Sequence, residues 1–287
     1  MQVGIGLPAT IPGATADDVL AWARQADAGP FSSLSIIDRL VYGNYEPLIT
    51  LAVVAGVTTR IRLMPSVLLA PFRSAAVLAS EAATLDALSG GRLTLGLGVG
   101  GREDDFRAAG ASFNDRGRRF EEQLATMKQI WAGEAVSAEV GPIGPSPVQD
   151  GGPPILIGGL SPAAVRRVGR WGDGYFGTGA DPATIRQLYD IAQDAWHEAG
   201  RSGRPRFVMG LYWGLGPDAA KRGGAYIRDY YGFLGPMVEM IAGSILSTPE
   251  AIAGAIQAYG EVGVDEVALW PTIADPEQVD RLSDVVG

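Results

Sequence analysis

The chain has 287 residues, 47% of them hydrophobic and none of them cysteine, so it can bury a large core without disulfides and carries no thiol nucleophile. A formal net charge of -9 argues against a nucleic-acid partner, because phosphate binding requires clustered surplus Lys and Arg. A single histidine speaks against a protein metal site, and no stretch reaches the ~20 apolar residues of a membrane span; with no basic leader before the first strand, a soluble cytoplasmic enzyme is expected.

Residues 3–7 open as a short strand, followed by a helix over 16–28 that buries Val19, Leu20, Ala23 and Ala26 and stops at Gly29-Pro30. Residues 34–37 are the second strand, 47–55 the second helix, and 61–69 an apolar run of the kind a strand buried on both faces requires. Residues 75–88 place Val77, Leu78, Ala82, Leu85 and Leu88 along one helical face before Gly90-Gly91 breaks the helix, and 93–99 form the fourth strand. A polar turn at 102–105 leads to a helix over 116–131. The Gly- and Pro-rich stretch 133–154 then reads as a connection on the face away from catalysis. The fifth strand ends at Ile157, the sixth at Gly177, and the seventh covers 207–215. Between the last two, the helix 183–199 carries Ile185, Leu188, Tyr189, Ala192 and Trp196 on one stripe. Thr248-Pro249-Glu250 is a strong helix start, and 264–270 is the eighth strand.

Eight β-α repeats without a linker or second domain predict one α/β TIM (β/α)8 barrel over residues 1–287. Residues 217–247 are extra helical material after the seventh strand, at the catalytic end.

Read from its residues alone, Gly158-Gly159-Leu160-Ser161-Pro162 leaves a strand and begins a helix, which frees backbone amides for a phosphate or forms a plain capped turn. Gly98-Val99-Gly100-Gly101-Arg102-Glu103 follows another strand end and allows close approach to its backbone, with a carboxylate just beyond it. Glu103 could donate a proton if burial raised its pKa; as one of three consecutive acids with Asp104 and Asp105 it equally fits a solvated helix start. Asp38-Arg39 ends the second strand; arginine stays protonated and cannot serve as a base, but it can clamp an anion or polarise a carbonyl. Tyr42 and Tyr45 line the loop that follows or offer hydrogen bonds, and His197 lies off the apolar stripe of its helix, on the surface.

Three blocks, SVLLAPFRSAAVLASEAATLDALSGGRLTLGLGVGG, ILIGGLSPAAVRRVGRWGDGYF and STPEAIAGAIQAYGEVGVDEVALWPT, resemble the bacterial luciferase-like family of flavin- or coenzyme F420-dependent oxidoreductases. The resemblance implies a cis peptide at Ser66-Val67, forming a bulge behind the central ring of the cofactor. It also implies ring contacts from Gly98, Val99, Gly100 and Gly101, and a phosphate held by Gly158 and Gly159 with Gly177 and Thr178 closing the other side. Relatives acting on sugar phosphates have Ser-Asp-His at the second strand's end and an acid at the place of Glu103. Here Ile37 and Arg39 replace the Ser and His, so that activity loses its base.

The resulting expectation is an oxidoreductase passing hydride between the deazaflavin F420 and a small organic substrate, with Asp38, Arg39 and Glu103 as catalytic candidates and no metal. The alternatives are an FMN-dependent monooxygenase supplied by a separate reductase, and a non-catalytic flavin-binding protein. A homodimer is implied by the resemblance alone.

Overall fold

Parallel strands alternate with helices through residues 1–287 of the computed structural model. The strands are β1 (Gln2–Gly6), β2 (Ser33–Ile36), β3 (Arg62–Pro65), β4 (Leu68–Leu69), β5 (Leu95–Gly98), β6 (Ile155–Gly158), β7 (Gly174–Thr178), β8 (Arg206–Trp213) and β9 (Glu266–Pro271). Their order is β3-β2-β1-β9-β8-β7-β6-β5-β4, and every pair is parallel. The two outer strands are consecutive in the chain, and a parallel bridge pairs Leu63 of β3 with Leu93, just ahead of β5, so the sheet curls round into the expected barrel. The run expected as one third strand is thus two, β3 and β4, interrupted at Ser66-Val67.

Local chemistry explains where the helices begin. Helix α1 (Ala16–Ala28) starts with a capping box, Thr15 accepting from the Asp18 amide while Asp18 accepts from the Thr15 amide. Helices α2 (Pro47–Ala55) and α3 (Ala75–Ser89) follow β2 and β4, and α3 ends at Gly90 in the left-handed region, φ 67°. After β5, the segment read as a polar turn forms a short helix, α4 (Glu103–Ala108), before α5 (Arg116–Trp131). Beyond β6 lie α6 (Pro162–Val165) and α7 (Arg167–Trp171), two short pieces where one helix was expected. Helix α8 (Pro182–Glu198) is capped by Asp181 and has proline at its first position.

The insertion after β8 is helical as expected, with α9 (Ala219–Tyr230), a 3₁₀ segment over Gly232–Met237 and α10 (Val238–Gly243). Helix α11 (Pro249–Glu261) follows it, and α12 (Glu277–Val286), which had no counterpart in the sequence reading, closes the chain after β9.

Alternating residues along each strand separate two cores. Leu34, Leu97, Ile157, Phe207 and Leu269 face the helices, while Met64, Leu156, Phe176, Val208, Ala268 and Trp270 form a second cluster. At the N-terminal ends, buried Glu266 accepts hydrogen bonds from Ser32 and Ser33 at 2.6 and 2.5 Å and pairs with Arg206. The 133–154 connection also lies at that end: the Val148 and Gln149 amides donate to Asp86, and the Gln149 side chain donates to the Leu93 carbonyl at 2.8 Å. The opposite, C-terminal mouth is left to the loops after β2, β5 and β6 and to the insertion.

Candidate active site

The Ser66-Val67 peptide is cis, as the resemblance implies. Its surroundings come from distant parts of the chain. Trp270, an inward-facing residue of β9, donates from Nε1 to Ser66 Oγ at 2.9 Å, and both groups are buried. The Ser66 amide donates to the Ile36 carbonyl of β2 at 2.7 Å. Val67 rests in a niche made by missing side chains: a Cβ on Gly98 would come 2.8 Å from Val67 Cγ2, and one on Gly158 would come 2.9 Å from Val67 Cγ1. A Cβ on Gly96 would strike the Pro65 carbonyl at 2.3 Å. The glycines of β5 and β6 therefore make room for the interrupted strand. Trp270 uses the same device on the other wall, where a Cβ on Gly210 would lie 2.3 Å from its indole.

Beyond β5 the chain turns at Gly100, φ 76°, while a Cβ on Gly101 would meet nothing within 4 Å. Val99, between Gly98 and Gly100, is half-buried. Past β6, the Gly159 carbonyl accepts from Tyr175 Oη at 2.9 Å, and Ser161 caps α6 by accepting from the Ala164 amide. The Leu160 and Ser161 amides have no hydrogen-bond partner in the chain, which fits an anion-binding turn. A dipole of a long helix is not available, since α6 has only four residues. Gly159 itself sits at φ 154°, and a Cβ there would come 2.5 Å from the Ala164 Cβ. Gly177 faces outward, its absent side chain making room for Ile185 of α8, and Thr178 is half-buried at the strand end.

The catalytic candidates have distinct environments. Asp38 is buried and accepts from the Leu69 amide at 2.8 Å and from Arg73 at 3.0 Å, so it ties the end of β2 to β4. Burial pushes its carboxyl above the ordinary range, against the pull of the Arg73 guanidinium. Arg39 donates from Nη1 to the Tyr230 carbonyl at 2.6 Å and lies 4.3 Å from the Tyr42 ring centroid and 5.0 Å from that of Tyr230. Tyr42 donates to Asp229 of α9. Tyr45 is exposed and directs its hydroxyl to the Ala14 carbonyl at 3.4 Å, among the residues of α1 and α2.

Of the two readings of Glu103, the structure shows the solvated helix start: its side chain is 62% exposed and lies 3.9 Å from Arg107 one helical turn on, without the burial that the proton-donor reading invoked. The phase of α4 buries Asp105 instead. Its Oδ1 accepts from the Leu40 and Val41 amides at 3.2 and 2.7 Å and so holds the loop after β2. His197 is exposed, as expected.

The insertion supplies a set of residues absent from the sequence reading. Tyr226 of α9 hydrogen-bonds Thr10 at 2.7 Å, and Tyr231 hydrogen-bonds Tyr212 of β8 at 3.0 Å. Tyr212 packs 5.2 Å from Trp270, which stacks on Phe176 at 5.8 Å. Burial raises the pKa of Tyr212 and Tyr226. The signal was present in AYIRDYYGF, where Tyr226 and Tyr230, four apart, share one helical face and Tyr231 follows at the helix end.

The sequence profile of the family described as luciferase-like monooxygenase matches residues 1–282. Among similar proteins, a Mycobacterium bovis phthiodiolone/phenolphthiodiolone dimycocerosates ketoreductase is 34% identical over 190 residues, covering 61% of this chain and 49% of that protein. An F420-dependent secondary alcohol dehydrogenase, solved with an F420-acetone adduct, superimposes with a TM-score of 0.83 over 99% of this chain and 98% of its own, at 17% identity. The monooxygenase RslO1 from Streptomyces bottropensis does so with a TM-score of 0.80 over 99% and 97%, at 24% identity. With a match of that extent and a closed barrel carrying its interrupted strand at the mouth, the chain belongs to the luciferase-like monooxygenase family.

Proposed function

We propose that this chain is an oxidoreductase that passes hydride between the deazaflavin coenzyme F420 and a small organic substrate at the mouth of the barrel. The observation that carries this reading is the seating of Val67 on Gly98 and Gly158, which presents a hydrocarbon side chain flanked by bare backbone as a bed for a flat ring. Ser66, Val67, Gly98, Val99, Gly100 and Gly101 would back the ring. The free amides of Leu160 and Ser161, in the turn made by Gly158 and Gly159, would take the phosphate, with Gly177 and Thr178 on the far side. A bound deazaflavin supplies hydride chemistry, and the protein's share is position and electrostatics. Asp38 keeps β4 in place through the Leu69 amide, Asp105 holds the loop after β2, and Arg39 keeps a positive charge beside the ring site.

The likeness to a monooxygenase and the family's description favour a second reading, an FMN-dependent monooxygenase that receives reduced flavin from a separate reductase. Titrating the purified protein with F420 and with FMN, followed by ligand fluorescence, separates the two. Tighter F420 binding supports the first reading, equal or tighter FMN binding supports the second, and oxygen consumption with reduced FMN would establish it. Tight binding without turnover of any candidate substrate would leave a flavin-binding protein.

We also assign a second copy of this chain to the face of α2 and α3, in a cytoplasmic homodimer. Ile49, Val77 and Leu88 are 54–73% exposed there, around an apolar groove of about 440 Å³. No helix is long and apolar enough to cross a membrane.

A further inference from the structure

Hydrogen-bond donors without acceptors gather at one place in the mouth. Tyr212 and Tyr231 share one hydrogen bond of 3.0 Å between two hydroxyls, so two protons serve one bond and one O–H is left over. Tyr212 is 7% exposed while Tyr231 is only half-buried. Either hydroxyl can donate in that bond; with Tyr212 as donor, the arrangement that strands no proton in the sealed position, the Tyr231 O–H is the one left over. Next to this pair stands Arg39, half-buried and in no ion pair, with a buried Nε that has no partner. The Tyr230 ring links the two, 5.0 Å from the guanidinium and 4.9 Å from the Tyr231 ring. The carboxylates around them are engaged: Asp38 by Arg73 and Leu69, Asp229 by Tyr42, Asp105 by Leu40 and Val41.

An unpaired cation, a spare hydroxyl proton and two tyrosine rings, Tyr42 and Tyr230, set edge to face beside the guanidinium describe the complement of a planar oxygen-bearing ligand. We propose that Arg39 and Tyr231 anchor the oxygen of a conjugated substrate, a phenolate, enolate or aryl carbonyl, with its ring against Tyr42 and Tyr230. This substrate class rests on the reading of the mouth as the reaction site, and it assigns Arg39 and Tyr231 to specificity.

The test uses 4-nitrophenolate as the probe, titrated into the purified protein and followed by its absorbance, beside F420 and FMN titrations of the same preparations. The wild type should bind the probe saturably, and Tyr231→Phe and Arg39→Gln should each weaken it about tenfold or more. Tyr212→Phe should cost less than Tyr231→Phe, because the Tyr231 proton survives it, and Tyr45→Phe should bind like the wild type. Arg39→Lys, which keeps the charge and loses the planar fork, should fall between wild type and Arg39→Gln, and it stands in if the glutamine variant does not fold. Absence of saturable binding to the wild type overturns the proposal, as does unchanged binding in Tyr231→Phe or in the Arg39 variants. Probe binding without flavin or deazaflavin binding would refute the cofactor reading and leave the anchor standing; cofactor binding without the probe would do the reverse.

Discussion

The bond from Trp270 to Ser66 gives a measurable coupling between two residues 204 positions apart. Trp270→Phe removes the Nε1 donor and part of the ring that fills the space above Gly210, while Ser66→Ala removes the acceptor. Both side chains are buried, Ser66 at 2% and Trp270 at 5% exposure, so each single change strands the other partner at a cost of about 1–3 kcal/mol. Trp270→Phe adds a cavity cost of about 1–2 kcal/mol. The double variant leaves no orphan, so its loss should fall short of the sum of the singles by about 1–2 kcal/mol. Urea unfolding of the four proteins, analysed with a common m-value, yields the coupling directly. A coupling within about 0.3 kcal/mol of zero would mean that the indole merely fills space and does not hold Ser66.

Gly159→Val would place its Cβ against Ala164 at a φ that side chains rarely adopt, and should raise the dissociation constant of the bound cofactor about tenfold while circular dichroism shows an intact barrel; unchanged affinity would put the phosphate elsewhere. Glu103→Gln should leave both cofactor affinity and the unfolding midpoint as they are, whereas Asp105→Asn should destabilise by about 1–3 kcal/mol, because the Leu40 and Val41 amides lose a charged acceptor. The reverse ranking in chemical denaturation would overturn the assignment of Asp105 as the acid that holds the loop after β2. Val77→Asp, on the exposed α2 and α3 face, should shift the mass seen by light scattering from dimer to monomer without changing the monomer's secondary structure; a wild type that is already monomeric would refute the interface.

How much of this was legible in the chain depends on the range of the interaction involved. The barrel was, because each β-α repeat announces itself locally: apolar runs of strand length, helical stripes such as Ile185, Tyr189, Ala192 and Trp196, and starts such as Thr248-Pro249 are settled by neighbours a few residues away. The interruption of the third strand was not visible in its own composition, since residues 61–69 are apolar almost throughout. It entered only by resemblance. What makes it fit is the register that sets Gly98 and Gly158 beneath Val67 and Trp270 beside Ser66, and register belongs to the assembled sheet.

The same division separates the acids and the aromatics. Three consecutive carboxylates at 103–105 look alike in sequence, and only the phase of α4 against the loop after β2 exposes Glu103 and buries Asp105. Arg39 was recognisable as a charge that cannot act as a base, a property of the residue type. That its guanidinium would meet the Tyr230 carbonyl, 191 residues away, and remain without a carboxylate was decided when the insertion folded over the mouth.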